Sequence, residues 1–264
     1  MKRIGDVLAS ISIPVGAGSG GSAAAEPEPR CPVCKDAGWV KLDVPVGHPF
    51  FGKLLPCQCK QAAMESRNAE ERRRVSNLEA FQRHEFDDFE PTAGTDEAYE
   101  AARAFAREPE GWLFLHGRCG VGKTHLAVAA AKEIQRQNAN VIFAVVPDLL
   151  DHLRATFDPA SGAAYDDRFT LIRGAFLLVL DDLGTENTTP WAREKLYQII
   201  NHRYNERLPT IITSNQDQAK LDERIVSRLL DRGLTRDVSI DAEDYRRRGR
   251  PDYVQGRGRR GMRR

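Results

Sequence analysis

Apolar residues in the second half of the chain fall into short continuous runs that alternate with amphipathic stretches. Runs of about five apolar and β-branched residues are typical of the buried strands of a parallel sheet. They predict strands at residues 112–116, 140–146, 176–180, 210–215 and 238–240. The stretches around them predict helices at residues 96–107, 125–137, 147–157, 165–174 and 191–207, with a loop at 158–164. Because strands and helices alternate, the pattern predicts an α/β domain with a central parallel sheet.

The region before this domain predicts shorter and more polar elements. Residues 3–11 have the spacing of one amphipathic helix. Such a helix is too short to be stable alone, so it either docks on a partner or frays. Residues 14–29, rich in Gly, Ala, Ser, Pro and Glu, predict a flexible linker. Residues 38–44 predict a strand, and the highly charged residues 61–84 predict a helix that connects to the domain.

The charge distribution singles out the C-terminus. The chain carries a net charge of +1, but residues 245–264 contain nine arginines and one acid, Asp252. That segment therefore carries +8 and the remainder sums to −7. Such asymmetry indicates a nucleic acid or another acidic partner for the tail, although a basic tail is also compatible with a solvated end. Only Tyr245 and Tyr253 are available there for stacking on bases, so we expect electrostatic contact at most.

No segment predicts a membrane span or an exported protein. The chain has no apolar run approaching the roughly 18 residues that a span needs. Its first 25 residues resemble a signal peptide only superficially, because Asp6 interrupts the apolar part and a Gly/Ser-rich stretch follows Pro14. Four of the five cysteines have metal-ligand spacing. We therefore expect a cytoplasmic protein without a membrane partner.

Two close cysteine pairs predict a metal site, Cys31-x-x-Cys34 and Cys57-x-Cys59. Thiolates in a tetrahedral set favour Zn²⁺, and four of them leave no position for water, so the metal is expected to be structural. His48 lies between the pairs and is an alternative ligand, and four reduced thiols in an apolar cluster are the metal-free alternative. A segment this small folds poorly without a metal, so we expect zinc on the four cysteines.

The loop between the first strand of the domain and its helix matches the phosphate-binding pattern G-x-x-x-x-G-K-[ST]. Its residues are Gly117, Arg118, Cys119, Gly120, Val121, Gly122, Lys123 and Thr124. The glycines let backbone N–H groups turn toward an anion, and the following helix directs its positive end there. Lys123 is expected to reach the β- and γ-phosphates, and Thr124 to ligate Mg²⁺. A glycine turn that matches by chance is the alternative.

Two acids follow the apolar run at residues 176–180, which is the Walker B pattern. Asp181 is expected to hold Mg²⁺, usually through water, because the carboxyl end of a parallel strand lies beside the phosphate loop. Asp182 stands where many ATPases place a glutamate that polarises the attacking water. Its side chain is one methylene shorter, so the expected rate is modest. Together the two patterns predict a Mg²⁺-dependent nucleoside-triphosphate hydrolase.

Two further polar positions are candidates for the same chemistry. Asn215 ends a predicted strand, where it would contact the γ-phosphate or the attacking water as a sensor, or form an Asx turn. Arg228 is a candidate arginine finger for a neighbouring subunit, supported by Arg224, with surface ion pairs to Asp222 or Asp231 as the alternative.

In front of the domain, Phe86 and Phe89 would line an adenine pocket or cap the core.

These motifs together resemble the AAA+ family, and within it the DnaC/DnaI-type replicative helicase loaders and the related IstB transposition helper ATPases. The resemblance covers roughly residues 85–243 and is carried in order by GRCGVGKT, FLLVLDDLG, IITSN and RIVSRLLDRG. It implies a three-layer αβα domain without a C-terminal lid. It also implies that Gly117 to Thr124 bind nucleotide, that Asp181 and Asp182 serve Mg²⁺ and hydrolysis, that Asn215 is sensor 1 and that Arg228 is the finger. The cysteine segment is similar to the zinc-binding N-terminal region of DnaI-type loaders.

The resemblance implies an ATP-dependent loader of a replicative helicase that touches single-stranded DNA and assembles head to tail with ATP. Residues 147–174 lie where this group carries a helix associated with that DNA. An IstB-like ATPase that assists a transposase on duplex DNA is the alternative. Two further alternatives are a metabolic kinase and a non-hydrolysing, nucleotide-gated adapter. A kinase would need a substrate pocket and a lid with phosphate-binding arginines, and neither is visible in the sequence. ATPase activity measured with and without single-stranded DNA would separate an adapter from a loader.

The corresponding domain division has five parts. They are a flexible segment and linker at 1–30, a zinc-binding module at 31–60, a connecting helix at 61–84, the AAA+ ATPase domain at 85–243 and a basic tail at 244–264.

Overall fold

The computed structural model describes residues 29–155, 162–186 and 189–247, and the chain divides into two compact units, Met1–Ala63 and Met64–Arg264. The predicted helix at 3–11, nearly all of the linker and most of the basic tail lie outside the described residues. No helix in the described part combines the length and apolar character needed to cross a bilayer.

The first unit contains a small antiparallel hairpin. Strand β1 (Trp39–Lys41) pairs with strand β2 (Leu54–Pro56), so that Trp39 lies opposite Pro56 and Lys41 opposite Leu54. The strand predicted at 38–44 is confirmed but is shorter than expected, and β2 was not anticipated. Helix α1 (Gln58–Val75) begins directly after Cys57, so that Cys59, the other cysteine of the second pair, lies in its first turn.

The second unit is built on a five-stranded sheet in the order β4-β5-β6-β3-β7, in which every pairing is parallel. Its strands are β3 (Trp112–Gly117), β4 (Val141–Val145), β5 (Leu177–Asp181), β6 (Thr210–Ser214) and β7 (Thr235–Ile240). All five predicted strands are confirmed to within a few residues. The predicted edge position of the last strand is also correct, since β7 pairs with β3 alone.

Among the residues that the structure describes, six α-helices follow α1 in this unit. They are α2 (Asp96–Arg107), α3 (Lys123–Arg136), α4 (Val146–Ala155), α5 (Gly162–Arg173), α6 (Pro190–Asn205) and α7 (Glu223–Leu229). Alternate side chains of β3, β4, β5 and β6 enter two separate cores. On β3, Leu113 and Leu115 pack with α2 and α3, whereas Trp112 and Phe114 pack with the helices from α4 to α7. The predicted three-layer architecture is therefore confirmed.

The connecting helix ends earlier than its sequence predicts. The helical pattern extends to residue 84, but α1 stops at Val75 and a short 3₁₀ turn follows at Leu78–Ala80. The reason is the free edge of β4. The N–H of Phe143 donates to the Ser76 hydroxyl (3.1 Å), and the Phe143 carbonyl accepts from the N–H of Asn77 (3.0 Å). Completing these edge hydrogen bonds requires an extended chain, which outweighs local helical propensity.

A buried arginine ties α6 to the amino ends of β5 and β6. Arg203 is 0% exposed, and burial lowers its pKa to about 9, so it remains protonated at neutral pH. Its guanidinium donates to the Thr210 hydroxyl (2.9 Å) and to the carbonyls of Arg173, Ala175, Phe176 and Pro209. No carboxylate pairs with it among the described residues. The charge is therefore solvated by the dipoles of four backbone carbonyls.

We expect Arg203→Met to destabilise the chain by about 3 kcal/mol, because buried and partly buried backbone carbonyls would lose a charged donor. Urea unfolding followed by circular dichroism measures this loss. Arg207→Met is the matched control, since Arg207 is exposed near the end of the same helix and should change stability by less than about 0.5 kcal/mol. Equal effects of the two substitutions would contradict the role given to Arg203.

Candidate functional site

The phosphate loop joins β3 to α3 in a backbone conformation that needs glycine. Gly120 and Gly122 have φ values of 80° and 95°, in the left-handed region, and Gly122 caps α3. A Cβ at Gly122 would lie 2.6 Å from the ring of Phe89, so a side chain is excluded by space as well as by φ. The loop and the start of α3 thus form the strand–loop–helix arrangement that binds anions through backbone N–H groups.

Lys123 is buried at the first position of α3, with 5% of its surface exposed. Its ammonium donates to the carbonyls of Gly117 (2.9 Å) and Arg118 (2.7 Å), within the loop itself. Burial lowers the pKa of Lys123, whereas the nearby charges of Cys119, Asp182 and Asp181 oppose that effect. The ammonium therefore lies inside the loop, where it can exchange these carbonyls for phosphate oxygens.

The carboxylate of Asp181 brings the phosphate-loop helix and two strands together. Thr124 donates its hydroxyl to Asp181 Oδ1 (3.0 Å), and Thr213 on β6 donates to the same oxygen (2.7 Å). Asp181 is 3% exposed, and burial raises its pKa, although both hydroxyl hydrogen bonds and Lys123 act in the opposite direction. Hydroxyl and carboxylate oxygens at this spacing are suitable ligands for Mg²⁺.

Asp182 follows in a left-handed turn at the end of β5, with φ of 59°. Aspartate tolerates this conformation better than most residues. The turn is fixed by Thr213, whose hydroxyl accepts from the N–H of Asp182 (3.0 Å) while it donates to Asp181. Thr213 was missed by sequence reasoning. The signal that could have found it was a hydroxyl residue directly after Ile211 and Ile212, near the carboxyl end of a predicted strand.

Asn215 lies against the phosphate loop, as a sensor residue would. Its Nδ2 donates to the Cys119 sulfur at 3.5 Å, a contact between the end of β6 and the loop. Its Oδ1 is buried and has no hydrogen-bond partner among the residues that the structure describes. A buried amide oxygen without a partner is costly, so this atom is available to a ligand or water in the site.

Arg228 lies apart from this group in its hydrogen bonding, since its partners are on α6 and α7. Its guanidinium donates to the Arg224 carbonyl (2.6 Å), to the Tyr197 hydroxyl (3.1 Å) and to Asn201 Oδ1 (2.5 Å). The central carbon of the Arg228 guanidinium lies 4.9 Å from the centre of the Tyr197 ring. An ion pair with Asp222 is formed by Arg224 instead (3.1 Å). The finger candidate is thus held in one orientation by neutral groups.

Phe86 and Phe89, which precede α2, pack in or against the core of the second unit. Phe86 is buried in the core on the α2–α3 side, and Phe89 packs partly buried against it. The Phe89 ring stacks on Tyr99 with centroids 5.7 Å apart and covers Gly122. Of the two expectations for these residues, capping of the core is the one that the contacts support.

The chain after β7 crosses the phosphate loop, which no sequence signal indicated. The N–H of Tyr245 donates to the Gly120 carbonyl (3.0 Å), and the carboxylate of Asp244 occupies the space that a Cβ at Gly120 would need. Nearby, the positive charge of Arg246 contributes to lowering the pKa of Lys123. Residues at the start of the basic tail are therefore part of the rim of the nucleotide site.

The four cysteines of the first unit form one cluster. All four sulfurs lie within 4.8 Å of one another, with Cys31 and Cys57 3.7 Å apart and Cys34 and Cys59 3.4 Å apart. Tetrahedral coordination with Zn–S bonds of about 2.3 Å requires sulfur separations of about 3.8 Å, so the set fits zinc. His48 is not part of it, since its Nδ1 accepts from the N–H of Phe50 (3.2 Å) in an exposed turn.

The thiols of this cluster differ in acidity. Hydrogen bonds from the backbone of Cys34 and Val33 lower the pKa of Cys31 to about 7, whereas a hydrogen bond with the Cys34 sulfur raises the pKa of Cys59 to about 12. Close thiols share protons because adjacent thiolates repel each other. A divalent cation removes this repulsion and releases the remaining protons.

Curated relatives of this chain include helicase loaders and an insertion-sequence protein. The replicative helicase loader DnaC of Escherichia coli is 25% identical over 213 residues, covering 74% of this chain and 86% of that protein. The loader DnaI of Bacillus subtilis is 29% identical over 104 residues, which are 39% of this chain and only 32% of that protein. A putative ATP-binding protein in an insertion sequence of Mycobacterium tuberculosis is 29% identical over 148 residues, covering 53% of this chain and 57% of that protein.

A solved structure agrees with the fold. The crystal structure of a DnaC helicase loader is 29% identical, with a TM-score of 0.51, and the match covers 61% of this chain and 99% of that one. The family model described as IstB-like ATP binding protein matches residues 50–252. The chain, with its α/β AAA+ domain on a five-stranded parallel sheet, therefore belongs to the family of IstB-like ATP binding proteins, which is related to the DnaC and DnaI loaders.

Proposed function

We propose that this chain is a Mg²⁺-dependent ATPase that loads a replicative DNA helicase in the cytoplasm. The observation that carries the proposal is the presence, in one chain, of a four-cysteine cluster and a DnaC-like domain whose Thr124 and Asp181 meet at the phosphate loop. The proposed division has the zinc module at residues 31–60, a connecting helix at 61–84 and the ATPase domain at 85–243, between an N-terminal segment at 1–30 and a basic tail at 244–264.

The roles proposed for the nucleotide site follow from its contacts. Gly117 to Thr124 would bind the phosphates, and Lys123 would leave the two carbonyls that it contacts now. Mg²⁺ would lie between the Thr124 hydroxyl and the Asp181 carboxylate, which are hydrogen-bonded here at 3.0 Å. Asp182 would orient the attacking water, and Asn215 would use its free amide oxygen to contact that water or its amide group to contact the γ-phosphate.

Arg228 is proposed to complete the site of a neighbouring subunit in a head-to-tail oligomer. The described hydrogen bonds of its guanidinium go to α6 and α7 of its own chain, to groups that leave its positive charge unneutralised. Tyr197 and Asn201 fix its orientation, so less side-chain freedom is lost when it meets a phosphate. An arginine supplied by another subunit stabilises the charge that develops on the transferred phosphoryl group.

We expect Arg228→Ala to reduce ATP hydrolysis by the assembled protein on the order of 10³-fold, because the charge supplied in trans is lost. A steady-state ATPase assay measures the loss. A mixture of Arg228→Ala subunits and Asp181→Asn subunits should regain activity, because some of its interfaces combine the intact Asp181 of the first variant with the intact Arg228 of the second. Arg236→Ala, at an exposed arginine on β7, is the control. Full activity of Arg228→Ala in a competent assembly would exclude the finger.

Zinc is proposed as the structural metal of the first unit, held by Cys31, Cys34, Cys57 and Cys59. The sulfur separations fit tetrahedral coordination, and the hairpin that follows Cys34 has only three residues in each strand. So small a unit buries little apolar surface, and a metal would supply the missing folding energy.

We expect one zinc ion per chain, and a loss of at least about tenfold in zinc content for Cys57→Ser, because three thiolates bind Zn²⁺ much more weakly than four. Plasma mass spectrometry of protein purified without added chelator measures the content. The fifth cysteine supplies the matched control, and Cys119→Ser should retain zinc. Equal zinc content in both variants would refute the proposed ligand set.

The proposed partners are a replicative helicase and single-stranded DNA, as the relation to helicase loaders suggests. The second candidate is an ATPase that assists a transposase on duplex DNA. It is favoured by the family model and by the insertion-sequence relative. The four-cysteine module is the feature that favours the loader, because it resembles the zinc-binding region of DnaI-type loaders.

A pull-down with the intact chain should recover the replicative helicase of the source organism in the presence of ATP, and a chain lacking residues 1–60 should recover much less. Mass spectrometry identifies the partner. The ATPase rate of each chain, measured alone, shows whether the shortened chain still folds. Recovery of a transposase without a helicase would reject the loader in favour of the second candidate.

A further inference from the structure

Exposed apolar side chains are concentrated in the four-cysteine unit. Among the described residues, eleven large apolar side chains are exposed, and seven of them lie in this unit. These seven are Val33, Trp39, Leu42, Val46, Phe50, Phe51 and Leu54. Single exposed apolar residues are ordinary on protein surfaces, but such a concentration on a small unit marks a contact surface. The ATPase chemistry uses none of these residues.

The strand pairing places two of these seven residues, together with an exposed lysine, on one face of the hairpin. Trp39 and Lys41 alternate with Val40 along β1, and Leu54 lies directly opposite Lys41 on β2. Trp39 is 44% and Leu54 64% exposed, whereas Val40 on the other face is half-buried. We call the side formed by Trp39, Lys41 and Leu54 the hairpin face. It offers an indole ring and a lysine to solvent within one short strand.

A second lysine is held over the indole ring. The ammonium of Lys60 lies 3.6 Å from the centroid of the Trp39 ring. Its aliphatic stem packs on Gly38, where a Cβ would come within 3.2 Å of Lys60 Cδ. The cation is therefore positioned before any ligand arrives, which lowers the entropic cost of using it in binding.

The charge of the surrounding segment favours an anionic partner. Between residues 30 and 60 there are five cations, Arg30, Lys35, Lys41, Lys53 and Lys60, and two acids, Asp36 and Asp43. Asp36 accepts from the backbone N–H groups of Arg30 (3.1 Å) and Cys31 (2.9 Å). Four thiolates with one Zn²⁺ would add a charge of −2, so the segment stays positive at about +1.

We propose that the hairpin face binds single-stranded nucleic acid, with a base stacked on the face of the Trp39 ring opposite Lys60 and with Lys41 and Lys60 against the backbone phosphates. Single-strand binding combines aromatic rings with nearby cations, and both are present here. A duplex keeps its base faces stacked inside and cannot use the indole in this way. An apolar protein surface would leave both ammonium groups unpaired. The proposal goes beyond helicase loading and does not depend on it, because it assigns a nucleic-acid site to the zinc unit itself.

The test uses the full-length, zinc-loaded chain without nucleotide and a labelled oligothymidylate of about 16 nucleotides. Fluorescence anisotropy should show binding that weakens by about fivefold or more in Trp39→Ala. Lys41→Gln combined with Lys60→Gln should lower the slope of log affinity against log salt by about 1.4. An oligouridylate of equal length shows whether RNA is bound as well as DNA. A duplex of the oligothymidylate with oligodeoxyadenylate should bind less tightly than the single strand.

Val46→Ala is the matched control, because Val46 is 84% exposed in the same unit but lies outside both hairpin strands. It should bind the oligonucleotide within about twofold of the unaltered chain. Zinc content is measured for each variant, so that loss of the module is not mistaken for loss of the site. Unchanged affinity of zinc-loaded Trp39→Ala for the oligonucleotide would overturn the proposal. If that variant lost a protein partner while it kept this affinity, the hairpin face would be a protein-binding surface instead.

Trp39→Phe provides a second measurement that a folding defect in Trp39→Ala cannot obscure. The chain has three tryptophans, of which Trp112 is buried and Trp191 half-buried. Stacking of a base on Trp39 should quench intrinsic emission on addition of oligothymidylate, and Trp39→Phe should bind but show no quenching. Quenching that persists in Trp39→Phe would refute the contact.

Discussion

The Asp181 carboxylate and the two hydroxyls that it accepts from are the junction on which the nucleotide site depends. Thr124 comes from the start of α3 and Thr213 from β6, and both donate to Asp181 at the end of β5. In the parallel register of β5 and β6, Leu180 lies opposite Ile212, so the residues that follow them, Asp181 and Thr213, are adjacent. A slip of one residue would turn Asp181 to the other face of the sheet. The phosphate loop, the acids and Asn215 are therefore held together by sheet register.

Burial sets the electrostatics of this junction. It lowers the pKa of Lys123 and raises the pKa of Asp181, so both charged forms are disfavoured where they are most needed. Each charge partly relieves the cost of the other, and the threonine hydroxyls stabilise the carboxylate. A phosphate and a divalent cation would supply the opposite charges that these two groups lack. These charged groups are held in place by the fold itself, so little reorganisation would be needed for them to meet a phosphate and a cation.

Most of the fold and the residue types of the site were predictable from local signals. The apolar runs located all five strands of the sheet, and the glycine loop with its lysine located the start of α3. The acids after the third apolar run and the spacing of the four cysteines identified groups that the structure brings together. These features are local because backbone conformation, strand burial and ligand chemistry depend on neighbouring residues. The family model matches residues 50–252, a range that includes the glycine loop, the acids and the second cysteine pair.

The amino-acid sequence by itself determined which residue types are present and which elements they form, whereas the tertiary structure decided which of them meet. The early end of α1 at Val75 depends on the edge of β4, and the role of Thr213 depends on β6 lying next to β5. The contact of Tyr245 with Gly120 joins residues far apart in the chain. Such contacts carry no local signal, because they form only where sheet order and packing place the partners within hydrogen-bonding distance.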